Sequence, residues 1–183
     1  RVDLRLDRRA GGAVAFLTID NRAKLNTLDR ALMTDFIGKV ETLASRDDLR
    51  ALVLRGGGDK AFIGGASIPE MATLTRDTAR EFITLVHRTC DCLRRLPVPV
   101  IAAIDGYALG AGLEVAVSCD LRVATTRAKF GMPETKVGIP SVVEAALIPQ
   151  LIGFGRAREL LMLGEIIDAG TALDAGPLDA GEV

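Results

Sequence analysis

Apolar and polar residues alternate at the start of the chain, with Val2, Leu4 and Leu6 at every second position, the period of a strand covered on one face. A more continuous apolar run, AVAFLTID (13–20), predicts a second strand, and the Gly11-Gly12 pair between the two is a hairpin signal. From about Thr27 to Leu43, Leu28, Leu32, Phe36, Val40 and Leu43 fall at helical spacing. ALVLRG (51–56) predicts a short buried strand running into the loop GGGDK. Residues 77–96 predict a second helix, with Phe82, Val86, Cys90 and Leu93 on one face. PVPVIAAI (97–104) is apolar without alternation, as in a parallel strand covered on both sides. LRVATT (121–126) predicts another short strand.

Beyond Glu134 the pattern turns helical. Ser141-Val142-Val143-Glu144 matches a capping box, in which the serine and the glutamate each satisfy an N–H at a helix start. GRARELLMLG (155–164) predicts a helix with Gly164 at its C-terminal stop, and Asp168 is a candidate N-cap for a last short helix closing near Gly176. Strands alternating with helices predict an α/β fold with a mostly parallel sheet. No low-complexity linker and no repeat of solenoid period divides the chain.

Composition narrows the function classes. At 183 residues, 49% of them hydrophobic, the chain is long enough to bury one sizeable core. Its 23 basic and 24 acidic residues give no electrostatic case for a nucleic-acid partner or an anionic membrane. No apolar run approaches the roughly 20 residues that span a bilayer. Three cysteines, Cys90, Cys92 and Cys119, lack disulfide or zinc spacing, which suits a reducing cytoplasm. Trp is absent and Tyr107 is the single tyrosine, which argues against aromatic stacking surfaces.

The candidate chemistry is found largely by elimination. His87 is the only histidine, and it reads as a partly exposed residue in the middle of a helix. That leaves no support for a Ser-His-Asp or Cys-His arrangement, nor for a metal site. GGGDKA (56–61) lacks the Gly-Lys-Ser/Thr end of a phosphate loop, and Gly110-Ala111-Gly112 lacks the third glycine of a dinucleotide fingerprint. Carboxylates and backbone remain. In AFIGGASIPE (61–70), Gly64 and Gly65 let the chain bend and let a ligand approach the Ala66 N–H; on this segment alone an ordinary strand-to-helix turn is the better reading. In GYALGAGLE (106–114), Gly110, Ala111 and Gly112 lie where a helix begins and N–H groups are unpaired. Glu114, in the first turn, reads either as a catalytic acid or as a charge favourable to the helix dipole. Glu134 reads either as a second acid or as an exposed loop residue.

Taken in order, DNRAKLNTLD (20–29), DKAFIGGASIPEM (59–71), PVPVIAAIDGYALGAGLEVAVSCDLRVAT (97–125), KFGMPETKVGIP (129–140) and GRARELLMLGEIIDAGTALDAG (155–176) resemble the crotonase (enoyl-CoA hydratase/isomerase) superfamily. The resemblance runs from about Leu4 to Gly176. It implies an α/β, crotonase-like fold of repeated ββα units with mostly parallel sheets. It implies a single acyl-CoA-binding core over residues 1–183, in which about 140–183 begin a helical C-terminal part whose remaining helices lie beyond this sequence.

For the site, the resemblance implies an acyl-CoA thioester whose carbonyl is held by the backbone N–H groups of Ala66 and Ala111. Glu114 and Glu134 then fall on the paired glutamates of the hydratase branch. Keeping both favours syn addition of water to a trans-2-enoyl-CoA over isomerisation, and over a non-catalytic acyl-CoA- or RNA-binding role. Ala66, Ser67, Ile68 and Gly110 are implied substrate contacts. Arg22 and Lys24 lie where the family receives the CoA phosphates, and a solvated charged loop explains them equally. Ser67 stands where an aspartate is common, and GIPSVVEAALIP (138–149) replaces the usual glycine-rich turn, so that Glu144 is either a cap residue or a third acid. No metal and no cofactor beyond the CoA of the substrate is implied. The assembly implied is a homotrimer or a dimer of trimers.

Overall fold

The computed structural model describes residues 1–176; the last part of the single core expected over 1–183 therefore lies outside the described residues. The chain opens with the expected hairpin, β1 (Val2–Arg9) and β2 (Gly12–Ile19), paired antiparallel with Arg9 opposite Gly12. Three further strands extend the sheet in parallel: β3 (Leu49–Gly56), β5 (Val100–Ile104) and β7 (Leu121–Ala124), in the order β1-β2-β3-β5-β7. A second sheet is built from strands of three residues each, β4 (Ala61–Ile63), β6 (Tyr107–Leu109), β8 (Lys129–Gly131) and β9 (Ile166–Asp168). The first three of these run parallel and β9 closes the sheet antiparallel to β8.

The repeat is visible in the connections. Each of β3, β5 and β7 turns a corner into a short strand of the second sheet. The first two short strands lead on to helices: α2 (Ile68–Met71) with α3 (Arg76–Arg94), and α4 (Ala111–Val117). The corners are tight. At Gly106, with φ of 69°, an added Cβ would lie 2.1 Å from the Lys60 carbonyl oxygen, so no side chain fits there.

The long helices follow from their apolar stripes. Helix α1 (Arg30–Ala44) buries Leu32, Met33, Phe36, Ile37, Val40 and Leu43, and α3 buries Phe82, Val86, Thr89, Cys90 and Leu93. Helix α1 starts at Arg30, not Thr27, because Asp29 caps it by accepting from Leu32 N at 2.8 Å. The preceding residues form a 3-10 turn, Arg22–Lys24, and left-handed backbone at Leu25 and Asn26. Buried Asn26 donates to Gly57 O at 3.0 Å and Ala61 O at 2.6 Å and accepts from Asn21 N at 2.9 Å, stitching this loop to the corner before β4.

The C-terminal part agrees with its stop signals. Helix α5 (Ile148–Leu163) is two helical pieces across a kink at Gly153 and ends at left-handed Gly164. Asp168 caps α6 (Ala169–Ala175), which closes at Gly176. The capping box at Ser141 is overturned: residues Val143–Leu147 form a 3-10 turn whose N-cap is Val142, with no side-chain cap. Ser141 Oγ instead donates to the half-buried Glu134, and the buried Glu144 pairs with His87, because buried acids need partners more than an exposed turn start does. Among the described residues no helix is long and apolar enough to cross a membrane.

Candidate active site

Three neighbouring parallel strands deliver the candidate groups to one place. Strands β4, β6 and β8 pair as Ala61 with Tyr107 and Tyr107 with Lys129, so their carboxyl ends, where α/β sheets commonly bind ligands, lie side by side. The chain leaves β4 through Gly64-Gly65-Ala66, β6 through Gly110-Ala111, and β8 through Met132-Pro133-Glu134.

The two backbone donors are set by different devices. Ala66 bridges Leu28, but the bonds are Leu28 N to Gly65 O and Ser67 N to Leu28 O, each 2.8 Å. In such a parallel bridge the Ala66 N–H points the other way, away from Leu28. Ala111 is the first residue of α4, so no carbonyl one turn earlier receives its N–H. Gly110 before it has φ 52° and ψ −121°, a conformation open to glycine alone. The two turns touch: a Cβ on Gly65 would lie 3.3 Å from Leu109 O.

The acids close the same space. A Cβ on Gly110 would sit 2.6 Å from Glu134 Oε1, so that carboxyl lies directly against the Ala111 turn. Ser141 Oγ donates to the other oxygen of Glu134 at 3.3 Å. Burial pushes the Glu134 carboxyl above the usual carboxylate range, against the bonds it accepts. Glu114 is only 4% exposed, and its Oε1 accepts the Ala145 N–H at 2.9 Å. Burial pushes its pKa up to about 8; the Ala145 bond opposes this, and the charges of Glu134 and Glu144 add to it. At neutral pH Glu114 therefore carries a proton while the charge of Glu134 acts on it, a pairing suited to giving and taking protons.

The remaining predicted residues are less closely gathered. Ser67 is buried, while Ile68 is exposed. Arg22 lines a cleft of about 400 Å³ together with Ala23, Leu25, Asn26 and Lys60. Its guanidinium is engaged by Asp20 through two bonds of 2.8 Å, and Lys24 is exposed nearby. His87 is half exposed, as its helix position suggested, but it has a partner that spacing alone did not reveal. Its Nδ1 lies 2.8 Å from Glu144 Oε1, and Glu144 is 4% exposed. An acid set in the apolar run VVEAAL was the one signal in the sequence that Glu144 turns inward.

Repeated ββα units that feed two sheets, with glycine turns and two glutamates beyond the short strands, define a crotonase-superfamily core. The chain belongs to the enoyl-CoA hydratase/isomerase family, whose model matches residues 9–180. It is 36% identical over 166 residues to the short-chain-enoyl-CoA hydratase of Clostridium acetobutylicum, covering 90% of this chain and 64% of that one. It is 35% identical to the crotonyl-CoA hydratase of Syntrophomonas wolfei, covering 89% and 63%. The crystal structure of an enoyl-CoA hydratase from Bacillus anthracis superposes with a TM-score of 0.89 at 32% identity, covering 96% of this chain and 68% of that one. The chain thus spans a little under two thirds of the length of the curated relatives it matches.

Proposed function

We propose that this chain carries the catalytic core of an enoyl-CoA hydratase, adding water syn across the double bond of a trans-2-enoyl-CoA to give a 3-hydroxyacyl-CoA. The observation that carries this reading is the placement of Glu134 against the Gly110–Ala111 turn, near enough for its charge to act on a Glu114 whose burial keeps it largely protonated. The thioester oxygen accepts the Ala66 and Ala111 N–H groups, which stabilise the negative charge that develops there when oxygen attacks the β-carbon. One carboxylate of the pair takes a proton from the water as its oxygen bonds to the β-carbon. The carboxylic acid of the pair gives its proton to the α-carbon, so the pair ends with the one proton it began with. The reaction so written needs no metal and no cofactor beyond the CoA of the substrate. Ser67, Ile68 and Gly110 line the approach to the thioester, and Arg22 and Lys24 are the proposed phosphate contacts. The free cysteines, Cys90, Cys92 and Cys119, fit a reducing, cytoplasmic setting.

The test is hydration of crotonyl-CoA, followed by loss of enoyl-thioester absorbance. Glu114→Gln and Glu134→Gln should each lower kcat by about 10²–10⁴-fold, the usual contribution of a positioned acid or base. Unchanged turnover in both variants removes the acid–base roles. Turnover of 3-enoyl-CoA alone would make the chain an isomerase, the second reading, which the enoyl-CoA isomerase/hydratase of Mycosarcoma maydis, 35% identical over 176 residues, keeps open.

A further inference from the structure

Glu144 is a third acid in this neighbourhood, and the hydration step does not use it. Burying a carboxylate to 4% exposure is costly unless partners favour its charge. Those partners come from α3: His87 Nδ1 at 2.8 Å and Arg94 Nη1 at 3.8 Å. Cys90 faces it from the same helix and Glu114 from α4. Among the described residues its second oxygen, Oε2, is buried without a hydrogen-bond partner. Val143, immediately before it, has φ of 64°, a left-handed conformation that a β-branched residue adopts only at a steric cost.

Two unfavourable features in adjacent residues call for something that holds them there. What they achieve lies one residue on. The Ala145 N–H donates to Glu114 Oε1 at 2.9 Å, with a longer contact of 3.4 Å to Val142 O. A carboxyl oxygen that accepts a backbone N–H is a poor seat for a proton. A neutral Glu114 therefore carries its proton on Oε2.

We propose that Glu144, clamped by His87, is the positioning residue for Glu114: it holds the Glu144–Ala145 peptide so that the Ala145 N–H occupies Oε1 and leaves Oε2 to exchange the proton. Without the clamp, the left-handed turn at Val143 relaxes and takes the Ala145 N–H off Glu114. The proposal rests on the hydratase reading for its kinetic test and is independent of it for its spectroscopic one.

The kinetic arm compares His87→Ala, His87→Asn and Glu144→Ala with the unaltered full chain in crotonyl-CoA hydration. Asparagine places an N–H near the position of Nδ1, so it can still donate to Glu144. The alanine variants should lose about tenfold in kcat, the cost of one hydrogen bond to a charged group. Their KM should stay within about twofold, because substrate binding is untouched. His87→Asn should recover most of the loss. Unchanged kcat in both alanine variants, or no recovery with asparagine, overturns the proposal.

The spectroscopic arm uses protein labelled with ¹⁵N-alanine. The Ala145 amide proton should resonate downfield and follow the titration of Glu114, a dependence that vanishes in Glu114→Gln. In Glu144→Ala the amide should lose its downfield shift; if it keeps that shift, the positioning role fails even where hydration is active. A wild type that does not hydrate crotonyl-CoA yet shows the amide behaviour sinks the function and leaves the positioning role standing. Should Glu144→Ala fail to fold, the half-exposed His87 pair carries both readouts.

Discussion

Glu114 is an acid whose surroundings oppose its ionisation. Its pKa in the folded chain is about 8, against an ordinary value of 4.5, and the sign of the consequence follows directly. Between those values the native state holds a proton that the unfolded chain has released, so native stability falls as pH rises across the window. Glu114→Gln removes this dependence and keeps a side-chain oxygen for the Ala145 N–H. The variant should match the wild type near pH 4.5 and exceed it by roughly 2–4 kcal/mol near pH 8.5, measured by urea unfolding at each pH. The same proton bears on catalysis: kcat/KM for hydration should decline as pH rises through about 8. A flat profile from pH 6 to 9 would detach the pair from the reaction. Gly110 offers a steric test at the same scale. Its φ of 52° and the 2.6 Å approach of Glu134 Oε1 to a built Cβ mean that Gly110→Ala strains the backbone and displaces the acid. It should cost about 1–3 kcal/mol of stability and most of the turnover, read by thermal unfolding and the crotonyl-CoA assay. At this scale the sequence was legible in the identity of the acids and the glycines. It was not legible in Glu144, because the Ser-x-x-Glu pattern is local whereas burial against His87 joins residues 57 positions apart.

At the scale of elements, the long pieces were readable and the short ones were not. Helices α1 and α3 have many turns over which a 3.6-residue period can establish itself, and β2, β3 and β5 each centre on a largely apolar run. Strands β4, β6, β8 and β9 have three residues each, too few for an alternation to be seen. They exist because a neighbouring strand supplies their hydrogen bonds. Yet these strands carry the site, and α4 is pressed onto them by a small residue. A Cβ on Gly112 would lie 2.0 Å from Ile63 O, a backbone atom that cannot swing aside. Gly112→Ala should therefore lift the start of α4 from β4, costing about 3 kcal/mol or more, the upper range for overpacked cores. Circular-dichroism melts would show it, and a wild-type midpoint would mean that α4 docks differently.

For the whole molecule, the outer face of the C-terminal helices carries apolar residues that this chain alone leaves in water. Phe154, Met162 and Leu163 are 68%, 72% and 56% exposed, more than isolated surface apolar residues need. We propose that they meet a neighbouring copy in the trimeric assembly that the family resemblance implies. Light scattering after size exclusion should return a multiple of 19.4 kDa, and Met162→Glu with Leu163→Glu should reduce it to the monomer mass. A monomer in the unaltered chain would remove the assembly.

The sequence by itself determined the α/β alternation, the two long helices, the central strands, the glycine turns and the two acids. Each depends on period, backbone freedom or residue chemistry, which act over a few neighbouring positions. Tertiary structure alone decided that the ends of β4, β6 and β8 stand side by side and that Glu134 lies against Gly110. It also set how far Glu114 is desolvated and turned Glu144 inward to His87. Strand pairing and desolvation depend on which distant segments surround a residue, so a carboxyl that reads as ordinary in the chain is pushed up to a pKa of about 8 in the fold.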